Sequence, residues 1–336
     1  MKGYLWLLFL LAVFLLLVPL LALPQETTTP TQQTPQTPTS TTTTTAAPSE
    51  PITESAYRIL CGDTVTTLPQ REFLIRTLAM EMPALYHEEA LKAQTVAAYT
   101  YYTRRRNQQA EHPDPALKGA DFVTPHTSFP QDYTEEKLRA RWGDDYDQNY
   151  AKICAAVDAV VGQVITYNGA LIDACFHAVS NGTTEDAATV WGASVPYLQA
   201  VASTGDTTAG GYASERTLTP DEVRTALSAA GLTINLSADP ATWFGTPTLS
   251  AAGTVTTQPI GDTSLPGTKV RQIFGLRSAT FSVTYADGQF TFAVRGYGHG
   301  VGMSQYGADY LARQGYTYRQ ILEHYYVGAK VEQEHK

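Results

Sequence analysis

The feature that most restricts this chain is a proline set inside an otherwise helical stretch, residues 71–106, REFLIRTLAMEMPALYHEEALKAQTVAAYTYYTRRR. Pro83 lacks the N–H that a helix interior needs and pushes the residue before it toward extended backbone, so the stretch reads as two helices broken at Met82-Pro83. At about 100° per residue, Leu74, Thr77, Leu78 and Glu81 fall within one arc of about 100°, while Glu72 and Arg76 point the other way. Glu81 therefore sits on the apolar face, beside the break. A carboxylate placed there is either a costly buried acid or a general acid whose protonated form is favoured by its surroundings.

The second helix is expected to begin around His87. Glu88 and Glu89 then occupy its first turn, where the positive end of the helix dipole explains both, and they are weaker candidates for chemistry than Glu81. The body of this helix is rich in alanine, so a neighbour can approach closely on the side of Ala90, Ala93 and Ala97.

Upstream, residues 5–23 are almost continuously apolar and long enough to span a bilayer. Lys2 and the amino terminus lie on one side and Glu26 on the other, which puts the N-terminus in the cytoplasm and the bulk of the chain outside it. A cleaved signal peptide is the alternative, but the run exceeds a usual signal core and Leu21-Ala22-Leu23-Pro24 is a poor cleavage site. Residues 24–56, rich in Thr, Pro and Gln, bury too little to offset their ordering entropy and read as a disordered stalk. Roughly 30 residues at about 3 Å each reach on the order of 90 Å. The reading is a single-pass anchor at 1–23, a linker at 24–56 and a folded region at 57–330.

That region is large enough for a full core, in one domain or two interlocked lobes. The net charge of −9, with one arginine run at 104–106, argues against a nucleic-acid surface. Twenty tyrosines and four tryptophans suit flat, weakly charged ligands such as sugars, although most belong to the core. Three cysteines, Cys61, Cys154 and Cys175, allow at most one disulfide. Cys175 and His177 are two residues apart on one strand face, but no second close pair accompanies them, so neither metal nor other cofactor is assigned.

Expected elements are a strand at 57–66, helices at 135–141 and 149–161, and a hairpin of 163–167 and 170–178 about Asn168-Gly169. On its second strand Asp173, Cys175 and His177 share one face, which gives His177 a way to line a cleft. Ser180-Asn181-Gly182 follows as a polar turn. Glu185 is a second carboxylate, in a loop without apolar neighbours. Residues 202–266 carry a helix at 220–230 and no recognisable chemistry, and read as a peripheral lobe. Strands are expected at 270–274, 280–285 and 290–294. Four glycines between Arg295 and Met303 allow positive φ and close approach to another chain before a helix entered at Ser304, but the P-loop lysine is missing. Thr317 and Gln320 form a capping box for the last helix. The fold class is α+β, mixed helices and antiparallel strands.

Three blocks carry a family resemblance. Glu81-Met-Pro with Glu89-Ala-Leu-Lys-Ala-Gln and Val96-Ala-Ala resembles the signature of the stage II sporulation protein D family, departing from it at Thr95 and Tyr99. The segment from Phe176 through Ser180-Asn181-Gly182 to Glu185, followed by Val190-Trp191-Gly192 and Pro196-Tyr197-Leu198, is similar to a second block. Gly298-His299-Gly-Val-Gly-Met-Ser304-Gln305-Tyr306-Gly is similar to the third, almost residue for residue. The resemblance does not cover 202–266.

What the resemblance implies is a lytic transglycosylase acting on peptidoglycan strands stripped of stem peptides, at the engulfing membrane of a sporulating bacterium. Glu81 would be the acid and then the base, with His177, Ser180, Asn181, Tyr297, His299, Ser304 and Gln305 binding substrate. Implied partners are glycan strands, the membrane through the first helix, a cell-wall amidase and other engulfment membrane proteins. A non-catalytic glycan-binding or amidase-stimulating module is the alternative, and a plain hydrolase would need Glu185 opposite Glu81.

Overall fold

The computed structural model describes residues 55–124 and 129–334. The anchor at 1–23 and the linker up to residue 54 lie outside the described residues. Among those described, no helix is long and apolar enough to cross a membrane.

The first element is a hairpin, β1 (Ala56–Cys61) against β2 (Thr64–Pro69), rather than the single strand expected at 57–66. Gly62-Asp63 is the turn, a hairpin signal inside a run that otherwise reads as one strand. Pro69 then caps α1 (Gln70–Glu81), which buries Phe73, Leu74, Thr77 and Leu78 and ends where Met82 turns extended ahead of Pro83. After the break, His87 caps α2 (Glu88–Glu111), the central helix, with Ala90, Ala93 and Ala97 fully buried. Beyond α2, β3 (Phe122–Val123) adds to β1 in parallel. Two helices follow, α3 (Glu135–Trp142) and α4 (Tyr146–Asp158), of which α4 packs on α1 and α2.

The hairpin about Asn168-Gly169 forms between β4 (Gln163–Tyr167) and β5 (Ala170–Leu171), but its second strand stops after two residues instead of running to 178. The chain turns away, and Phe176–His177 forms β6 in a different sheet. Short α5 (Ala187–Trp191) follows, capped by Asp186.

A second hydrophobic cluster begins with β7 (Ala213–Leu218) and α6 (Pro220–Ala229). It continues through β8 (Thr248–Leu249), β9 (Val255–Ile260), β10 (Thr263–Pro266) and α7 (Gly267–Phe274) to the hairpin β11 (Phe281–Ala286) and β12 (Gln289–Arg295). The segment expected as a strand at 270–274 is thus helical: Gly267, Val270 and Phe274 are buried three and four residues apart, and a run of five residues is too short to reveal its period. The buried residues of this cluster run from Leu218 to Val294, past the limits read for the 202–266 lobe.

The chain returns to the first cluster through β13 (Met303–Ser304), α8 (Gln305–Arg313), α9 (Tyr318–Tyr325) and β14 (Lys330–Gln333). β14 lies beside β4, and the Thr317–Gln320 capping box is present. β13 pairs in parallel with β6, Met303 opposite Phe176 and Ser304 opposite His177. Two glycines make that approach possible. A Cβ on Gly302 (φ 73°) would stand 2.1 Å from the Cys175 carbonyl oxygen, and one on Gly298 (φ 118°) 2.7 Å from His177 Cβ.

Gly302→Ala adds both a strained backbone conformation and a backbone clash, so it is expected to lower unfolding stability by at least ~2 kcal/mol in urea denaturation, well beyond a surface glycine such as Gly119.

Candidate active site

Helix α1 ends with Glu81 pointing into a cleft of about 500 Å³. Gln305, the first residue of α8, donates from Nε2 to Glu81 Oε2 at 3.1 Å, and the same amide lies 3.5 Å from Gln94 Oε1 on α2. The Gln305 amide, more than 200 residues further along the chain, thus joins the consecutive helices α1 and α2 beside the Glu81 carboxyl.

The position of Gln305 is fixed by its neighbours. Ser304 caps α8 by accepting from Gly307 N–H (3.2 Å) and donates its hydroxyl to Asp206 Oδ1 (2.9 Å). Asp206 is fully buried, and its other oxygen accepts the Ser180 N–H at 2.8 Å. Burial pushes the Asp206 carboxyl above its ordinary range, and its hydrogen bonds with Ser180 and Ser304 pull it back. Further along α8, Asp309 Oδ1 accepts the His87 N–H at 2.6 Å, which ties α8 to the start of α2.

One wall of the cleft is Tyr101 and Tyr102 on α2; Trp191, half exposed at the end of α5, and His299 also line it. The Trp191 and His299 rings lie 5.4 Å apart between centroids. Arg105 also lines the cleft, its guanidinium 4.5 Å from the centre of the Tyr101 ring. Asp173 is a second carboxylate on the lining. Beside it the Cys175 thiol is pushed up to about 12 by burial first and then by the Asp173 charge, so it stays protonated and unreactive at neutral pH.

Both histidines are held neutral. His177 is buried behind His299, ring centroids 5.6 Å apart, with Nδ1 3.2 Å from the Val301 carbonyl oxygen and, among the described residues, no partner for Nε2. Burial, with His299 and Arg271 nearby, lowers it to about 3. His299 accepts the Val301 N–H on Nδ1 (3.1 Å), and burial with the Arg271 charge lowers it to about 4.

Of the residues singled out from the sequence, Glu81, His299 and Gln305 come together at the cleft, and Ser180 and Ser304 meet on Asp206 behind it. His177 does not line the cleft: the alternation that put it on a face with Asp173 and Cys175 ends where the strand ends. Asn181 donates to the Ala252 carbonyl at 2.6 Å, and Tyr297 is half exposed under Arg277, so neither lines this cleft. Glu185 is not in an open loop but buried, accepting from Ser250 Oγ at 2.6 Å. It lines a separate cavity of about 20 Å³ that also touches His299. Cys175 and His177 do not converge, the three cysteines are unpaired, and no group of three metal-ligating side chains occurs among the described residues. Thr95 and Tyr99 both serve packing, Thr95 by hydrogen bonding to the Leu91 carbonyl and Tyr99 to Glu334. Sequence reading missed Arg105, Trp191 and Asp206 as parts of the site. Trp191 sits within a recognised block and Arg105 within the arginine run, whereas nothing marks Asp206.

Residues 62–167 match the model of the stage II sporulation protein family. The chain is 36% identical over 282 residues to stage II sporulation protein D of Bacillus amyloliquefaciens, covering 84% of this chain and 79% of that one. It is 34% identical over 286 residues to the protein of the same name from Bacillus subtilis (strain 168), covering 84% and 80%. The amidase enhancer of Bacillus subtilis (strain 168) is 30% identical over 299 residues, 74% of this chain and 38% of that one.

A histidine whose folded pKa is depressed gives stability that is present above its unfolded value of about 6.5 and lost as pH falls toward the folded one. Stability should therefore drop between about pH 6.5 and 4, with His177 alone contributing a slope approaching 1.4 kcal/mol per pH unit. Denaturant titrations across that range on wild type and His177→Phe check it: the variant should show the shallower slope.

Proposed function

Because the chain belongs to the stage II sporulation protein D family, we propose that it is a lytic transglycosylase of sporulation, cutting the bond between muramoyl and glucosaminyl residues of peptidoglycan. The observation that carries this reading is Glu81 in the cleft, with one carboxyl oxygen held by Gln305 and aromatic rings on the walls. Protonated Glu81 gives its proton to the glycosidic oxygen as the bond to the anomeric carbon breaks. The carboxylate then takes the proton of the muramoyl primary hydroxyl, whose oxygen closes onto that carbon to leave an anhydro end.

One group serves as acid and then as base, and no water is activated. The two-carboxylate arrangement of hydrolases would need Glu185 opposite, and Glu185 is bound to Ser250 and lines the other cavity. Residues 5–23 and the linker, read as an anchor and tether, hold the cleft outside the cell within reach of the wall.

The family relative named amidase enhancer favours a second reading, in which the chain binds glycan and stimulates an amidase without cutting. Measuring binding and bond cleavage on the same stripped glycan separates the two.

Glu81→Gln is expected to keep the thermal unfolding midpoint and reduce anhydro-muramoyl release by roughly 10³-fold, within the range of general acid–base catalysis. Wild-type turnover by this variant would sink the assignment.

A further inference from the structure

Gln94 is fully buried on α2, and among the described residues its Nε2 has no hydrogen-bond partner. The helix positions one turn away, Ala90, Leu91, Ala97 and Ala98, are buried and apolar. An amide enclosed there with an unsatisfied donor costs stability that an aliphatic side chain would keep. Its Oε1 faces the Gln305 amide, 3.5 Å from the same Nε2 that donates to Glu81 at 3.1 Å. Glu81, Gln305 and Gln94 therefore stand in one row.

A primary amide carries donors at one end and an acceptor at the other, and turning it by about 180° exchanges them. Here Gln305 presents N–H to both Glu81 Oε2 and Gln94 Oε1, an arrangement suited to an ionised carboxylate. A protonated Glu81 can instead donate from that oxygen, and Gln305 meets it by turning its carbonyl toward Glu81. The carbonyl oxygen would then oppose Gln94 Oε1, acceptor against acceptor, unless Gln94 turns as well. Turned, Gln94 brings its unpartnered Nε2 onto the Gln305 oxygen. The orphan donor of one arrangement is the donor that the other requires.

We propose that Gln94 is a positioning residue for the acid, which with Gln305 forms a pair of amides that turn together and bond Glu81 in both of its protonation states. This rests on the reading of Glu81 as a group that serves first as acid and then as base. Gln94 is not on the cleft lining and acts through Gln305. The titratable and charged groups that share the cleft with Glu81 are Tyr101, Tyr102, Arg105, Asp173, Cys175 and His299. Burial keeps both tyrosines and the Cys175 thiol protonated and His299 neutral near pH 7. Behind Gln305 stand Asp206, bound to Ser180 and Ser304, and the Asp309–Arg313 pair of α8.

The test is a pH titration of the full chain carrying 13C at glutamate carboxyl carbons and 15N at glutamine side-chain amides. Each resonance is assigned by its loss in Glu81→Gln, Gln94→Met or Gln305→Met, with Gln94→Leu in reserve should the methionine variant not fold. In wild type the Gln94 and Gln305 amides should both shift with the midpoint of the Glu81 carboxyl. In Gln305→Met the Gln94 amide should stop following while Glu81 still titrates. A Gln94 resonance that stays flat in wild type, or that follows Glu81 equally well in Gln305→Met, overturns the proposal. On stripped glycan, Gln94→Met should lower kcat by roughly 10-fold at unchanged KM, the size of one hydrogen bond, and cost nothing further when added to Gln305→Met. An unchanged kcat, or equal losses in the two backgrounds, also overturns it. If wild type releases no anhydro ends, the transglycosylase reading fails, and the titration still decides whether the two amides turn together.

Discussion

The site depends on the absence of two β-carbons. Gly302 and Gly298 let the chain pass within contact of the Cys175 and His177 backbone, and the two-rung pairing of β13 with β6 follows from that approach. Ser304 is then delivered to Asp206 and Gln305 to Glu81, because Gln305 lies only three residues beyond Gly302 and has little slack. A loop pushed outward by a side chain at 302 would move the hydrogen-bond donor away from the acid. The glycines act at a distance from the cleft, through the position of a helix start.

Asp206 completes this arrangement from the other side. A buried carboxyl is tolerated only when its oxygens are satisfied, and here they bind the Ser180 turn and the Ser304 cap, two polar segments behind the cleft. The buried histidines follow the opposite course, giving up their charge. Asp206 is therefore a joint between segments, and His177, behind His299 and held to the Val301 carbonyl, supports the wall that His299 presents.

Much of this was legible before the structure. Pro83 and the burial of Leu74, Thr77 and Leu78 follow from local periodicity and backbone sterics, and the glycine loop followed from the need for positive φ. What could not be read was long-range. Residues 170–178 look like one strand because alternation records only local pattern, whereas their path is set by the glycine loop more than 120 residues away. Val270 to Phe274 has no period long enough to distinguish helix from strand. Asp206 lies in a stretch of Thr, Ala and Gly where nothing local marks a buried acid, and its partners, Ser180 and Ser304, are 26 and 98 residues distant.

The contrast between Glu81, Glu185 and Asp173 shows why carboxylate type alone says little about chemistry. Glu185 is the more enclosed, yet Ser250 occupies one of its oxygens and it lines a cavity of about 20 Å³, too small for a sugar ring. Asp173 lines the cleft, but against the Cys175 thiol. Glu81 alone combines access to the large cleft with an amide donor that fixes its orientation. A reaction whose nucleophile is part of the substrate asks the protein for one oriented acid and walls that keep water out. Under the proposed reading, Tyr101, Tyr102, Phe176 and Trp191 serve as those walls, and the aromatic lining is then as much a part of the chemistry as the acid.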